Sequence, residues 1–234
     1  MSRHPPIATL VALLATPPRG GPGGPTYPQE WFTDDLEAGS VWTLIQASGV
    51  PTVAAAAAAA HQGTLGLQLA TRSAGAAGGD YVEIHHYFQP PTQDYLTATC
   101  WARLPDPGNN VWAAFSLVTL SAGHLHRATV FYLPAPHKWQ YTTSAGNAVD
   151  IPGAAYTWAA NTWIPLTWGL RVSTLHYTCF TCPAGTFDLS AQALHDAGAT
   201  ALTLPHLRLY LKASATPPAA LHADDFRVTH SPSP

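Results

Sequence analysis

The sequence predicts an all-β fold, a two-sheet antiparallel sandwich preceded by an extended arm, and three observations predict it. Short runs rich in Val, Thr, Tyr and Trp recur at the ~8–12-residue spacing of a sandwich. Proline and glycine, 22 and 18 among 234 residues, punctuate those runs and stop them. Amphipathic helices do not alternate with the strands, which argues against the α/β classes.

Residues 1–30 are the arm. Pro5-Pro6, Pro17-Pro18 and the run from Gly20 to Pro25 hold neither a helix nor a central strand. Ile7 to Ala15 is apolar and follows Arg3 and His4, the outline of a short signal-peptide core. The flanking prolines and the missing Ala-x-Ala site favour instead an assembly arm, in which Ile7, Leu10, Val11, Leu13 and Leu14 dock on a neighbour.

From Trp31 the pattern is β. Val41 to Ala47 alternates until Gly49 and Pro51 break it. Ala54 to Ala60 favours helix by propensity, but so short a run holds no helix unaided. It reads as a strand of small side chains, or as a strand and bend. Thr64 to Thr71 carries Leu65, Leu67 and Leu69 at period two. Tyr81 to Phe88 is β-branched and aromatic and closes at Pro90-Pro91. Tyr95 to Leu104 sets Leu96, Ala98, Cys100 and Ala102 on one face and Tyr95, Thr97, Thr99, Trp101 and Arg103 on the other. Pro105 to Asn110 is a turn. Val111 to Leu120, Ala128 to Leu133, Lys138 to Thr143, Trp163 to Val172, Leu175 to Thr181, Leu202 to Lys212 and Leu221 to Thr229 complete about eleven to thirteen strands. Ser190 to Asp196 reads as a helical turn. The sandwich spans 31–230, and 231–234 is a short tail.

Apolar residues, 47% of the chain, suffice for a core. Charged residues are only 10%, against ~25% in ordinary soluble domains. So weakly charged a surface favours packing into an assembly, or reflects a composition with only Lys138 and Lys212 as lysines. The formal net charge is −3 and the arginines are scattered, so no basic stripe serves nucleic acid. No apolar run reaches the ~18 residues of a membrane span. Cys100, Cys179 and Cys182 are too few for a disulfide framework.

The constellations point away from catalysis. His85 and His86 are adjacent and face opposite sides of a strand. His124 and His126 face together without a third ligand. On a regular strand Cys179 faces away from both His176 and Cys182, and a lone Cys-x-x-Cys is weak support for zinc. Gly-x-Ser-x-Gly, Walker and His-Glu-x-x-His motifs are absent from the sequence. A sandwich glycosidase needs paired carboxylates, yet Glu83 is the only acid inside a strand and Asp80 points the other way. The expectation is a chain that is not an enzyme. Trp112, Trp139, Trp158 and Trp168 are candidates to stack on sugar rings, set against the commoner use of aromatics in a sandwich core.

Three ordered segments carry a family resemblance. Phe32-Thr33-Asp34-Asp35-Leu36-Glu37-Ala38-Gly39-Ser40-Val41-Trp42 resembles the opening strand of laminin-G-like and concanavalin-like jelly rolls, the kind found in carbohydrate-binding modules. His61-Gln62-Gly63-Thr64-Leu65-Gly66-Leu67-Gln68-Leu69 resembles their His-x-Gly-Ser-x-x-Leu-x-Leu strand, and Ala223-Asp224-Asp225-Phe226-Arg227-Val228 their closing strand. Trp139-Gln140-Tyr141, the Trp163 strand and Phe187-Asp188-Leu189-Ser190 resemble the middle of jelly rolls in tailed-phage structural proteins. The resemblance covers about residues 31–230 and implies a jelly roll whose terminal strands lie side by side. Asp35, Glu37, Asp224 and Asp225 would then meet around a structural Ca²⁺, with backbone carbonyls near His61–Thr64 completing its oxygen shell. The alternative is solvated strand ends. The implied function is a non-enzymatic virion structural protein of a tailed-phage-like particle: a capsid decoration, minor capsid or tail-surface protein. Its partners would be other virion proteins or copies of itself, and its place the virion surface. The alternative is a carbohydrate-binding module or secreted surface adhesin that meets cell-surface glycans.

Overall fold

The computed structural model describes residues 29–34, 36–37, 42–48, 51–71, 80–107, 111–213 and 219–233. The expected docking residues Ile7, Leu10, Val11, Leu13 and Leu14, and with them Asp35, lie outside the described residues. In chain order the strands are β1 (Gln29–Asp34), β2 (Thr43–Ala47), β3 (Thr52–Ala56), β4 (Gly66–Ala70), β5 (Tyr81–Tyr87), β6 (Tyr95–Arg103), β7 (Val111–Ser121) and β8 (His124–Leu133). There follow β9 (Lys138–Thr142), β10 (Ala148–Ala155), β11 (Trp163–Arg171), β12 (His176–Cys182), β13 (Gly185–Asp188), β14 (His195–Ala199), β15 (His206–Ala213) and β16 (Ala220–Ser231). Among the described residues strand structure runs from Gln29 to Ser231.

All pairings are antiparallel and build two sheets. The first has the order β13-β12-β11-β6-β16-β4-β3, with β1 also on β16; the second is β10-β9-β8-β7-β15-β5-β2, with β14 on β8. The sheets are packed face to face, and side-chain alternation decides what lies between them. Leu96, Ala98, Cys100 and Ala102 of β6 are at most 2% exposed, as the sequence pattern predicts. From the second sheet Val82 and Ile84, Phe115 and Leu117, Val130 and Tyr132, and Leu207, Leu209 and Leu211 face them.

The centre of this layer is aromatic. Trp139 lies 4.9 Å from Phe180, 5.4 Å from Tyr132 and 6.0 Å from Trp158, centroid to centroid. Trp168 reaches the same group through Phe115 at 5.9 Å. Tyr177 carries its hydroxyl from the first sheet to the backbone of the second. There it accepts from Thr129 N–H at 3.0 Å and donates to the Thr142 carbonyl at 2.8 Å. This corrects the sugar-stacking assignment of Trp139, Trp158 and Trp168. Trp139 and Trp168 have inward parity, Trp158 lies in the loop between β10 and β11, and all three are 0–1% exposed. Trp112 alone of the four faces outward, at 44%.

Several local expectations are met or replaced. Ala54 to Ala60 is a strand and bend: β3 followed by a 3-10 turn over Ala57–Ala59. Ser190 to Asp196 holds no helix; its last residues open β14. Strands β10, β13 and β14 escape a sequence reading because they are mostly exposed and lack an alternating apolar face. β15 starts at His206, behind Pro205, and Leu202 is exposed.

Strand β16 carries the one interruption that matters for the ends of the domain. Along one edge it pairs with β4 through Ala220–Ala223, then with β1 from Phe226 onward. Asp224 and Asp225 stand at that change of partner, opposite a bulge against β6, and Asp225 adopts φ 52°.

The burial pattern predicts a sharp contrast between tryptophans. Trp168→Ala lowers unfolding free energy in urea by about 3–5 kcal/mol, whereas Trp112→Ala changes it by less than about 1 kcal/mol. Equal losses in the two variants would contradict the assigned core.

Candidate active site

The ladder registers arrange the outer face of the second sheet as a grid. One row runs Gln46, Glu83, Tyr210, Ala114, Phe131 and Gln140 across five pairings. The next row holds His85, Arg208, Ser116 and Thr129, and beyond it stand Tyr87, His206, Val118 and Arg127. On the other side of the Glu83 row come Tyr81, Lys212 and Trp112. All these side chains have outward parity. Even so, Glu83, His85, Ser116, Thr129 and His206 are no more than 7% exposed, so the middle of the face is recessed behind its longer neighbours.

Glu83 organises the recess. It accepts from Gln46 Nε2 at 2.7 Å and from the Arg208 guanidinium at 2.8 Å, and His85 Nε2 lies 2.8 Å from its other oxygen. Arg208 Nε is also 2.8 Å from that second oxygen, an ion-pair contact without hydrogen-bond geometry. Burial by itself would raise the Glu83 carboxyl. The hydrogen bonds from His85, Arg208 and Gln46 and the Arg208 charge outweigh it and hold the group far below the usual carboxylate range. Glu83 is therefore ionised and accepts only, which assigns the Nε2 proton to His85. In the neutral ring His85 Nδ1 is then the acceptor, and the Tyr87 hydroxyl lies 3.3 Å from it. Burial, and next the Glu83 charge, raise the Tyr87 phenol, so Tyr87 holds its proton at neutral pH. Carboxylate, imidazole and phenol thus form a chain in which the first group orients the second and the second faces a proton donor.

Two rings flank this chain. His206 stacks on His85 at 4.1 Å and approaches Tyr87 at 5.2 Å. Burial, reinforced by His85, lowers His206 to about 3. Toward the Trp112 side, Tyr81 stacks on Tyr210 at 5.8 Å, Arg208 lies over Tyr210 at 5.1 Å, and Trp112 stacks on Phe131 at 6.0 Å.

The expected calcium carboxylates lie elsewhere, on the corner where β16 changes partner. Asp224 accepts from His61 N–H at 2.7 Å, and Asp225 lies 2.8 Å from His61 Nδ1. Glu37 accepts from Thr64 and Leu65 N–H at 2.6 and 3.0 Å and from the Thr64 hydroxyl. Three carboxylates therefore act on the one segment His61–Leu65. Burial raises the Asp224 carboxyl, whereas the Thr64 hydroxyl and the loop amides lower Glu37. Among the described residues no three His, Cys, Asp or Glu side chains are gathered tightly enough to hold an ion by themselves.

The first sheet has an outer groove of about 520 Å³ lined by Tyr95, Arg171, His176, Cys179 and Asp188. Its arginine is already satisfied, with Arg171 Nε 2.6 Å from Asp94. The groove also corrects the facing assigned to Cys179. A register shift between β11 and β12 turns Tyr177 and Phe180 inward, which leaves His176 and Cys179 on the same side.

With the strands and face in place, the fold is that of a concanavalin-like jelly-roll sandwich. It is similar to an endo-β-1,4-glucuronan lyase from the fungus Trichoderma reesei, at 12% identity over 88% of this chain and 99% of that one, with a TM-score of 0.59. It is similar as well to a carbohydrate esterase from the Shiga toxin-encoding bacteriophage phi24B, at 14% identity over 87% and 99%, TM-score 0.51. A Bacillus licheniformis β-glucanase matches at 10% identity over 86% and 98%, TM-score 0.52. No family model and no curated protein matches the sequence. These likenesses show the fold, and they overturn the expectation of a chain that is not an enzyme, because lyase, esterase and glucanase are all built on it.

That expectation looked for two carboxylates on one strand, whereas this face groups one carboxylate with His, Tyr and Arg from neighbouring strands. Of the cluster, the sequence reading had singled out Glu83 and the opposite facing of His85 and His86. The missed signal is the period-two run Tyr81-x-Glu83-x-His85-x-Tyr87, which alternates with Val82 and Ile84, and its counterpart Arg208-x-Tyr210-x-Lys212. No helix among the described residues is long and apolar enough to cross a membrane.

The buried imidazoles set a pH dependence. Burial lowers His86 to about 4, burial with the nearby Arg103 charge lowers His222 to about 4, and His206 falls to about 3. A histidine held neutral in the fold takes up a proton on unfolding, so the fold keeps its full stability above the free value of 6.5 and loses it as pH falls. Urea unfolding between pH 6.5 and 4.5, above most carboxylate titration, should show a steady decline. His206→Asn should decline less; an unchanged slope in that variant would rule out its contribution.

Proposed function

We propose that this protein is a glycan-active enzyme whose working surface is the recessed outer face of the second sheet. The observation that carries this reading is the buried Glu83–His85–Tyr87 chain, braced by Arg208 and opening onto a row of aromatic rings. An ionised carboxylate in so sheltered a place is costly unless paired, and the one present fixes the tautomer and orientation of a histidine. The aromatic side of the grid, with Trp112 exposed, offers rings on which sugar faces stack. Across the grid a glycan meets Tyr87 as proton donor and His85 Nδ1 as proton acceptor, the pair that general acid–base cleavage of a C–O bond requires. Hydrolysis by two flanking carboxylates fits less well. Asp80 is turned away and held by Ser48, and Glu83 is taken up by its partners.

Cleavage of polysaccharides by the full chain, read as new ends released, tests the proposal. Glu83→Gln and His85→Ala should each lower turnover about 10²–10⁴-fold, and Tyr87→Phe should lower it comparably, while circular dichroism stays that of the parent. Folded variants that cleave as fast as the parent would sink the assignment.

The virion surface is the place this reading favours for the chain. A body so poor in charge suits packing into an assembly, and a phage esterase shares the fold. Particles purified from the source culture should contain the chain at a fixed ratio to a major capsid or tail protein. Recovery only as free secreted protein would favour the adhesin alternative.

Calcium at the β16 corner is also a proposal. Glu37, Asp224 and Asp225 supply hard oxygen donors around one loop, and backbone carbonyls of that loop would complete the shell. Added Ca²⁺ should raise the melting temperature and EDTA lower it, and Asp224→Asn should abolish the difference. A melting temperature indifferent to both would remove calcium from the account.

A further inference from the structure

Charge on the recessed face does not balance. In its three central rows Glu83 faces Arg208 and Arg127, with Lys212 one row further on. Glu83 is already committed to Arg208, His85 and Gln46. Lys212 rests over the Trp112 ring at 5.9 Å. The Arg127 side chain has no hydrogen bond or ion pair among the described residues, and its buried Nε has no acceptor. In the same row His206 Nε2 is buried without a partner as well; its Nδ1 faces the Leu204 carbonyl, so Nε2 is an acceptor, open to a sugar hydroxyl and not to an anion. Burial, and then the Arg208 charge, make Arg127 a less comfortable cation, yet an arginine does not shed its proton. A chain of formal net charge −3 has thus placed a guanidinium without a bonded counter-ion at the end of the row that holds Tyr87, His206 and Val118.

We propose that this face takes an acidic glycan, whose anionic group, a uronate carboxylate or a sulfate ester, seats on Arg127. The inference rests on the reading of this face as a glycan-processing surface and adds the class of its substrate. An anion there supplies the acceptor that Arg127 Nε–H lacks and cancels the mutual repulsion of Arg127 and Arg208. The planar fork of a guanidinium matches the paired oxygens of either group. A neutral sugar offers hydroxyls for the hydrogen bonds but no charge, so it leaves the imbalance in place. The sugar ring then extends toward Tyr210, Phe131 and Trp112, and the bond to be broken lies over Tyr87 and His85.

Binding of the full chain to polyglucuronate, to a sulfated glucan and to a neutral β-glucan, at one ionic strength, tests this without requiring turnover. At least one acidic polymer should bind about ten-fold or more tighter than the neutral one, and which one it is separates carboxylate from sulfate. Arg127→Gln should weaken that binding about ten-fold or more and leave the neutral polymer unaffected, with Arg127→Lys in between. Should Arg127→Gln fail to fold, the thermal shift of the parent decides. Acidic oligosaccharides should raise its melting temperature and neutral ones of equal length should not. Equal affinity for neutral and acidic polymers, or undiminished acidic binding by folded Arg127→Gln, overturns the inference. Cleavage of a neutral glycan that needs His85 but not Arg127 overturns it while the proposed function stands. Arg127-dependent binding of an acidic glycan with no cleavage does the reverse.

Discussion

Each strand of a sandwich has one face for the shared core and one for everything else, and strict alternation leaves no third choice. In this protein the inward set is large and aromatic. Trp139, Trp158, Trp168, Phe115, Phe180 and Tyr132 form one connected group of rings, and the Tyr177 hydroxyl joins it to the backbone of the opposite sheet. Because those positions are spoken for, the alternate positions are fixed as well. Glu83, His85 and Tyr87 share a face because Val82 and Ile84 are in the core.

The outward face of the second sheet spends some of the stability so gained. Five of its polar side chains are nearly closed off from solvent, and one of them is a carboxylate. Buried charge persists where partners surround it, and Glu83 has three. The cost is lower still because the partners are themselves held: Arg208 lies over the Tyr210 ring, and His85 lies against His206. A group so fixed loses little freedom when a substrate arrives, which is the condition for acid–base work at a defined atom. Arg127 lacks that kind of closure, and the face is therefore asymmetric, neutralised at Glu83 and positive two rows beyond.

The two ends of the chain meet a different constraint. Strand β16 exchanges β4 for β1 midway, and an exchange of partners leaves backbone groups to be satisfied by something other than a ladder. Asp224 fills that gap through the His61 and Gln62 amides, and Asp225 through the His61 ring. His61 in turn stacks on Trp101 at 4.0 Å, so the corner is tied to the outer face of the first sheet. This work is remote from the recessed face, which is why carboxylates at the strand ends and the carboxylate inside β5 serve separate purposes.

Much of this was legible in the sequence, and the limits have a physical origin. Period-two alternation with Gly and Pro breaks determines strands and their inward residues locally, so the all-β class, the Leu96–Ala102 face of β6 and the strand-and-bend of the alanine run could be framed from residues alone. Edge strands β10, β13 and β14 could not, because an exposed edge needs no apolar face and therefore writes no pattern. Nor could the fate of Trp139, Trp158 and Trp168, since a tryptophan reads the same whether its strand turns it in or out. The cluster was hidden for a related reason. Alternation puts Glu83, His85 and Tyr87 on one side of β5, but which strands flank β5, and in what register, is decided by long-range pairing. Only that pairing brings Arg208 across from His85 and sets Arg127 beyond it. The sequence by itself determined the fold class and, where no bulge intervenes, the facing of residues within a strand, because alternation is local; at Cys179 a register shift changed it. The neighbours across strands, and with them the chemistry of the face, were decided by the tertiary structure.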